Sequence, residues 1–202
     1  MRNRALLQGR FQPVNIGHAA TLSAILQEWN QVTIGVVYNS PRPLGVDGRF
    51  DEYLVKVEAK SYAPHKMPFS VVEIRSMWQA YIEASRIADR VTCMLVKRLE
   101  YELEFVRKFP PSDIDLVWPE LNPDDHETDV LRHHLYRSVL NRPIYTVRPA
   151  MKLHNAQIRE LIVSGKGWWD KLVPRGAYEV FLAIDGPSRM AVAFGDGQVR
   201  LT

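Results

Sequence analysis

The sequence predicts an α/β fold built on a doubly wound parallel sheet of about five strands. Short β-rich runs alternate with helical patterns along most of the 202 residues, as right-handed crossovers between parallel strands require. The run at 32–38 is almost continuously apolar, which is typical of a strand covered on both faces. Near the end of the chain, residues 195–197 read GDG between two apolar runs, and this pattern predicts a C-terminal β-hairpin.

Five runs rich in β-branched and apolar residues are the predicted strands. They lie at 5–11, 32–38, 91–96, 114–118 and 144–147. The single cysteine, Cys93, falls within the third run, so we expect a buried core thiol rather than a nucleophile. Residues 39–66 contain several Pro and Gly residues and predict a long loop with a short helix.

Helices are predicted between the strands. The first begins near His18, and its buried face is marked by apolar residues at helical spacing: Leu22, Ile25, Leu26 and Trp29. The second has Ser70 as its N-cap, with Glu73 at the capping-box position. The remaining helices are predicted at 126–140, around 158–162 with an end at Gly165, and at 176–184.

Composition restricts the class of protein. A hydrophobic content of 46% and a charged content of 24% are ordinary for a soluble globular chain, and a net charge of +3 gives no support for a nucleic-acid partner. No apolar stretch approaches the ~20 residues that span a bilayer, and the N-terminus lacks a signal-peptide core. We therefore expect a cytoplasmic protein without a membrane partner, with one domain at 1–184 and the hairpin appendage at 185–202.

The most informative stretch follows the first predicted strand. Residues 9–13 read GRFQP, and residues 15–18 read NIGH at the start of the first helix. A glycine-opened turn from strand to helix lets backbone N–H groups approach an anion at the positive end of the helix dipole. Arg10 and His18 add side-chain donors suited to phosphate oxygens. In a doubly wound sheet, ligands bind beyond the carboxyl ends of the strands, so topology predicts the same site.

These two motifs together resemble the signature of the HxGH nucleotidyltransferase superfamily, and GRFQP is most similar to the archaeal-type nicotinamide mononucleotide adenylyltransferases. Asn15 stands where that family carries its first histidine. Residues 153–159, LHNAQIR, resemble the family's ISxTxxR motif at the start of a late helix. Here His154 and Ala156 replace the serine and the threonine of that motif.

The resemblance implies a Rossmann-like fold and an enzyme, a nucleotidyltransferase. It would transfer a nucleotidyl group from ATP or CTP to a small phosphate- or phosphonate-bearing acceptor such as nicotinamide mononucleotide, releasing pyrophosphate. Mg²⁺ would accompany the triphosphate, no resident metal is expected, and a homo-oligomer is one option. The implied catalytic residues are His18, Asn15, Arg10 and Arg159. The implied nucleotide-binding residues are Gly9, Arg10, Phe11, Gln12, Gly17, His18, His154, Asn155, Ala156 and Arg159.

Two further residues are candidates for binding the substrate. Trp118 follows the fourth predicted strand, where it could stack on a base or belong to the core. Lys152 lies just before the late motif and could serve the same anion as Arg159. A cation in the first turn of a helix is unfavourable with respect to the helix dipole, unless an anionic ligand binds there.

Alternatives remain for the metal and for the function. One predicted helix carries His126, Asp129, His133 and His134, and the i, i+4 spacing of Asp129 and His133 can hold zinc, although a solvated charged face is the favoured interpretation. The departures at Asn15, His154 and Ala156 favour one alternative function, a catalytically impaired nucleotide-binding sensor of the same fold.

Overall fold

The computed structural model of the chain describes residues 1–38, 67–97, 111–120, 136–137 and 141–195. Some predicted elements lie outside these ranges. They are the loop at 39–66, almost all of the helix at 126–140, and the turn and second strand of the C-terminal hairpin.

In the described parts of the chain, five strands form one sheet. They are β1 (Arg2–Gly9), β2 (Trp29–Tyr38), β3 (Val91–Lys97), β4 (Ile114–Pro119) and β5 (Ile144–Val147). The strand order is β3-β2-β1-β4-β5, and every neighbouring pair is parallel. The predicted doubly wound α/β fold is confirmed.

Five α-helices accompany the sheet in the same ranges. They are α1 (Ile16–Glu28), α2 (Val71–Ala84), α3 (Asn155–Val163), α4 (Ala177–Ala183) and α5 (Gly186–Gly195), with a 3-10 helix at Trp169–Leu172. No helix of the described residues has the length and hydropathy to cross a membrane.

The ends of α1 and α2 are set by specific residues. The predicted capping box of α2 is confirmed, because the Glu73 N–H donates to Ser70 Oγ over 3.3 Å and the Ser70 N–H donates to the Glu73 carboxylate over 2.7 Å. Trp29, predicted on the buried face of α1, instead begins β2. Its indole N–H donates over 2.9 Å to Asp115 of β4, which lies on the far side of β1 from β2. Helical spacing could not reveal this partner.

Two hydrophobic clusters cover the two faces of the sheet. Alternation along β1 sends Ala5 and Leu7 into the larger cluster, with residues of α1, α2 and α3, and sends Leu6 into a smaller one. Tyr136 and Trp118 belong to the smaller cluster. Because β1 lies between β2 and β4, the strand order reverses direction beside β1, and this reversal is the expected position of a ligand site.

The predicted C-terminal β-hairpin is wrong where the structure describes it. Residues 186–195 form α5, which includes Pro187 in its first turn and a run of Ala, Met and Arg, all compatible with a helix. Short apolar runs do not distinguish a strand from a helix by periodicity alone, and the GDG sequence does not determine the structure of the run before it. The domain boundary at residue 184 stays a prediction.

Substitution within α5 tests this correction. Met190 is fully buried in the larger cluster, whereas Val192 is 73% exposed. We expect Met190→Ala to lower the free energy of unfolding by about 2–5 kcal/mol, since it removes a buried side chain. Val192→Ala should change it by no more than about 0.5 kcal/mol. Urea denaturation of both variants measures the difference, and equal effects would contradict the packing of α5.

Candidate active site

A cavity of about 550 Å³ opens at the carboxyl ends of β1 and β4, where the strand order reverses. Its walls bring together residues that are far apart in the sequence. Those predicted as site residues and found in its lining are Gly9, Arg10, Phe11, Gln12, His18, Trp118, His154, Asn155, Ala156 and Arg159.

The turn after β1 has a fixed and unusual conformation. Phe11 has a φ of 49°, which L residues rarely adopt, and its ring packs so closely over Gly9 that a Cβ there would lie 2.8 Å from the ring. The Gln12 side chain donates to the Phe69 carbonyl over 2.9 Å and accepts from the Phe69 N–H over 3.1 Å. The amide of Gln12, a residue predicted to bind the nucleotide, therefore anchors the turn to the segment before α2.

Asn15 and His18 together cap the N-terminus of α1. The His18 N–H donates to Asn15 Oδ1 over 2.9 Å, and the Asn15 N–H donates to Nδ1 of the His18 ring over 3.1 Å. Because Nδ1 accepts this bond, the proton of the neutral ring lies on Nε2. Phe11 packs edge-on against the same ring, with centroids 5.0 Å apart. The ring is therefore held in one orientation and one tautomer.

The charge state of His18 follows from its surroundings. Burial lowers the pKa of the His18 imidazole from 6.5 to about 3, with a smaller contribution from the charge of His154. At neutral pH the ring is therefore an uncharged hydrogen-bond donor through Nε2.

The two sequence motifs meet through Asn15 and Gly17. Asn15 is fully buried, and its Nδ2 donates to Oδ1 of Asn155, the first residue of α3, over 2.7 Å. A Cβ on Gly17 would lie 2.8 Å from the Leu153 backbone nitrogen, so only glycine allows this approach. Neither Asn15 nor Gly17 lines the cavity. In this structure both residues join the motifs.

Arg159 lies in α3, one turn after the start of the helix, and is held on two sides. Its Nε donates to the Asn155 carbonyl over 3.3 Å, and its guanidinium lies 4.5 Å from the ring centroid of Phe194 in α5. Burial lowers the pKa of Arg159, although an arginine stays protonated throughout the physiological range. The Gln157 side chain accepts from the His154 N–H over 3.0 Å at the same helix start.

The structure separates the other candidates. Lys152 does not line the cavity, and its ammonium pairs with Glu120 at 3.5 Å. Trp118 packs against Tyr136 in the smaller cluster and also lines the cavity, so its core position is observed and stacking on a base stays a prediction. Cys93 lies away from the cavity lining, and burial raises the pKa of its thiol to about 12, which keeps it protonated.

The candidate zinc ligands His126, Asp129, His133 and His134 lie outside the described residues. Within the ranges that the structure describes, no group of three or more His, Cys, Asp and Glu side chains is placed to hold a metal ion.

Sequence reasoning missed several residues of the cavity wall. They are Leu7, Gln8, Thr21, Pro119 and Leu153. One signal was present for Gln8, because it is the only amide side chain in the apolar run that leads to the glycine turn. Thr21 gave no such signal, since its hydroxyl simply donates to the Gly17 carbonyl within α1 over 2.9 Å.

Known proteins resemble this chain in both sequence and fold. No protein-family model matches it. A nicotinamide-nucleotide adenylyltransferase from Pyrobaculum neutrophilum is 27% identical over 194 residues, covering 94% of this chain and 93% of that protein. The resemblance inferred from the motifs is confirmed, and so is the predicted enzyme class, a nucleotidyltransferase.

Solved structures share the fold. A bifunctional NMN adenylyltransferase/ADP-ribose pyrophosphatase from Francisella tularensis superposes with a TM-score of 0.61 at 16% identity, covering 98% of this chain. The chain spans only 54% of that bifunctional protein. A second structure of the Francisella protein, with AMP and a manganese ion, has a TM-score of 0.58 at 16% identity and the same coverage of both chains.

The depressed pKa of His18 predicts a pH-dependent stability. Between pH 6.5 and about 3 the unfolded chain binds a proton at His18 that the folded protein does not, so stability is lost as the pH falls through this window. Relative to His18→Gln, the wild-type protein should lose up to about 1.4 kcal/mol per pH unit below 6.5. Urea denaturation from pH 7.5 to 4.5 measures this, and parallel profiles for the two proteins would contradict a neutral His18 ring in the folded protein.

Proposed function

We propose that this protein transfers the adenylyl group of ATP to nicotinamide mononucleotide and releases pyrophosphate. The observation that carries the proposal is the hydrogen bond from Asn15 to Asn155, which joins the two motifs at the edge of the cavity. Sequence similarity adds support, because archaeal relatives that are 23–28% identical share the name nicotinamide-nucleotide adenylyltransferase. CTP and other phosphate- or phosphonate-bearing acceptors are the competing substrates.

The chemistry needs positioning more than it needs acid–base groups. An oxygen of the acceptor phosphate attacks the α-phosphorus of ATP, and a new P–O–P linkage forms. The bond from the α-phosphorus to the oxygen bridging it to the β-phosphorus breaks, and the electron pair leaves with pyrophosphate. Since the attacking oxygen is already anionic, no general base has to remove a proton. The protein contributes by aligning the two anions and stabilising the charge that shifts between them.

His18 is the donor that we assign to the transferring phosphoryl group. Its Nδ1 is occupied by the Asn15 N–H, so Nε2–H is the donor that it offers to the cavity it lines. A donor held in advance, within a partly buried site, stabilises developing charge without having to reorganise during the reaction. The neutral ring donates a hydrogen bond and does not supply a charge.

Arg10 and Arg159 supply the positive charge. Both line the cavity, one from the turn after β1 and the other from α3, one turn after its start. The start of α3, with His154, Asn155 and Ala156 in the cavity wall, adds the positive end of a helix dipole. The nucleotide would enter as its Mg²⁺ complex, which the manganese ion and AMP in the Francisella protein support.

Pyrophosphate release tests the proposal directly. Purified protein is incubated with ATP or CTP, each combined with nicotinamide mononucleotide or with its nicotinate analogue, in the presence of Mg²⁺. We expect the fastest release with ATP and nicotinamide mononucleotide. Release with none of the pairs would overturn the proposal, and tight triphosphate binding without turnover on any acceptor would instead favour the sensor that the altered motifs suggest.

Two substitutions at His18 separate donation of a hydrogen bond from supply of charge. His18→Ala removes the donor, so kcat should fall by roughly 10²–10³. His18→Gln offers an amide N–H close to the position of Nε2 and should recover a substantial part of that loss, because the native ring is neutral. Steady-state kinetics with both substrates measure kcat for the three proteins. Equal activity of wild type and His18→Ala would show that His18 does not donate to the transferring phosphoryl group.

A further inference from the structure

Gln8 is a buried polar residue that the proposed reaction leaves without a role. It lies one residue before the glycine turn, is 8% exposed and lines the cavity. Side chains alternate along β1, so Gln8 lies on the same face of the sheet as Leu6, which belongs to the smaller cluster. His18 lines the same cavity from α1, a helix whose buried residues belong to the larger cluster on the opposite face of the sheet.

Among the residues that the structure describes, only one end of the Gln8 amide has a hydrogen-bond partner. Its Nε2 donates to the Tyr136 hydroxyl over 3.1 Å, and Tyr136 is itself fully buried. The Gln8 Oε1 atom is buried, and no described residue donates a hydrogen bond to it. Buried amide oxygens are normally paired, and leaving one unpaired costs free energy comparable to a lost hydrogen bond. The Tyr136 contact holds the amide in place while its acceptor remains unsatisfied.

The surroundings of Gln8 indicate which kind of ligand would pair with it. Trp118 lines the cavity from the same cluster and packs against Tyr136, with ring centroids 5.6 Å apart. An indole surface suits a planar heterocycle, and an amide oxygen beside it accepts only from an N–H or O–H group. A ring that presents a carbonyl or carboxylate at this point would leave the acceptor unpaired and would repel it.

We propose that Gln8 is a specificity-determining residue whose Oε1 accepts a hydrogen bond from an amino or amide N–H on the heterocycle of a bound substrate. This inference rests on the proposed function, which supplies two such groups. One is the exocyclic amine of adenine, and the other is the carboxamide of the nicotinamide ring. Their closest analogues without the donor are inosine triphosphate and nicotinate mononucleotide.

Two Gln8 variants and one matched control test the assignment. Gln8→Met keeps the length of the side chain and removes the acceptor, whereas Gln8→Glu keeps an acceptor oxygen. Gln31→Met makes the same change at an exposed position of β2 and serves as the control. For each protein, kcat/KM is measured for ATP against inosine triphosphate and for nicotinamide against nicotinate mononucleotide. The readout is the ratio within each pair, which a general loss of activity does not change.

We expect one of the two ratios to fall roughly 10- to 100-fold in Gln8→Met, the factor that corresponds to an unpaired buried polar group. The ratio that falls identifies the ring that Gln8 contacts. Gln8→Glu should keep a preference for the substrate with the N–H, and Gln31→Met should match the wild type. Wild-type ratios for both pairs in Gln8→Met would overturn the role of Gln8 while leaving the proposed function intact.

The same comparison remains decisive if the protein proves inactive. Absence of pyrophosphate release by the wild type would overturn the proposed function. Calorimetric titration of the four ligands into the wild type and Gln8→Met would then give the same two ratios as dissociation constants. A ratio that falls in Gln8→Met supports the hydrogen bond, and two unchanged ratios overturn it.

Discussion

The hydrogen bond from Asn15 to Asn155 connects two segments that are 140 residues apart in the chain. It is short because Gly17 has no Cβ, which lets α1 approach the backbone at Leu153. Asn15 also caps α1 through its Oδ1, so one side chain fixes both the start of that helix and its distance from α3. The junction therefore joins the starts of the two helices that carry His18 and Arg159 to the same cavity.

A second set of contacts holds the other side of the cavity. Arg189 of α5 pairs with Glu73 at the start of α2 and donates to the Pro68 carbonyl. The neighbouring Phe69 backbone is bonded to Gln12 in the turn after β1. Since Phe194, also in α5, lies over the Arg159 guanidinium, the C-terminal helix connects the turn after β1 with the cation of α3. These contacts of Arg189 and Phe194 stabilise α5 against the rest of the protein.

The sequence predicted the fold well because its strands carry their own signal. The β-rich run at 144–147 coincides with β5, and Ser70 and Glu73 alone predict the capping box of α2. Sequence patterns do not predict the secondary structure where long-range packing determines it, as in α5 and at Trp29, which begins β2. In the site, the motifs identified most of the cavity wall, but not that Asn15 and Gln12 bond to the protein itself. The sequence does not reveal Gln8, because only the fold shows that its Nε2 is bonded to Tyr136 while no described residue donates to its Oε1.

The amide at position 15 has a consequence for the charge of the proposed site. Asn15 is fully buried, so a protonated histidine there would lose its hydration, and no carboxylate among its described hydrogen-bond partners would compensate it. Burial also keeps His18 uncharged at neutral pH, since it lowers the pKa of the ring. Arg10 and Arg159 therefore carry positive charge in the cavity that does not depend on either position, and guanidinium groups do not titrate in the physiological range. Stabilisation of the phosphates in the proposed reaction then rests on fixed charges and a neutral donor, so the departure from a second histidine removes a titrating group without removing the electrostatic attraction for the nucleotide.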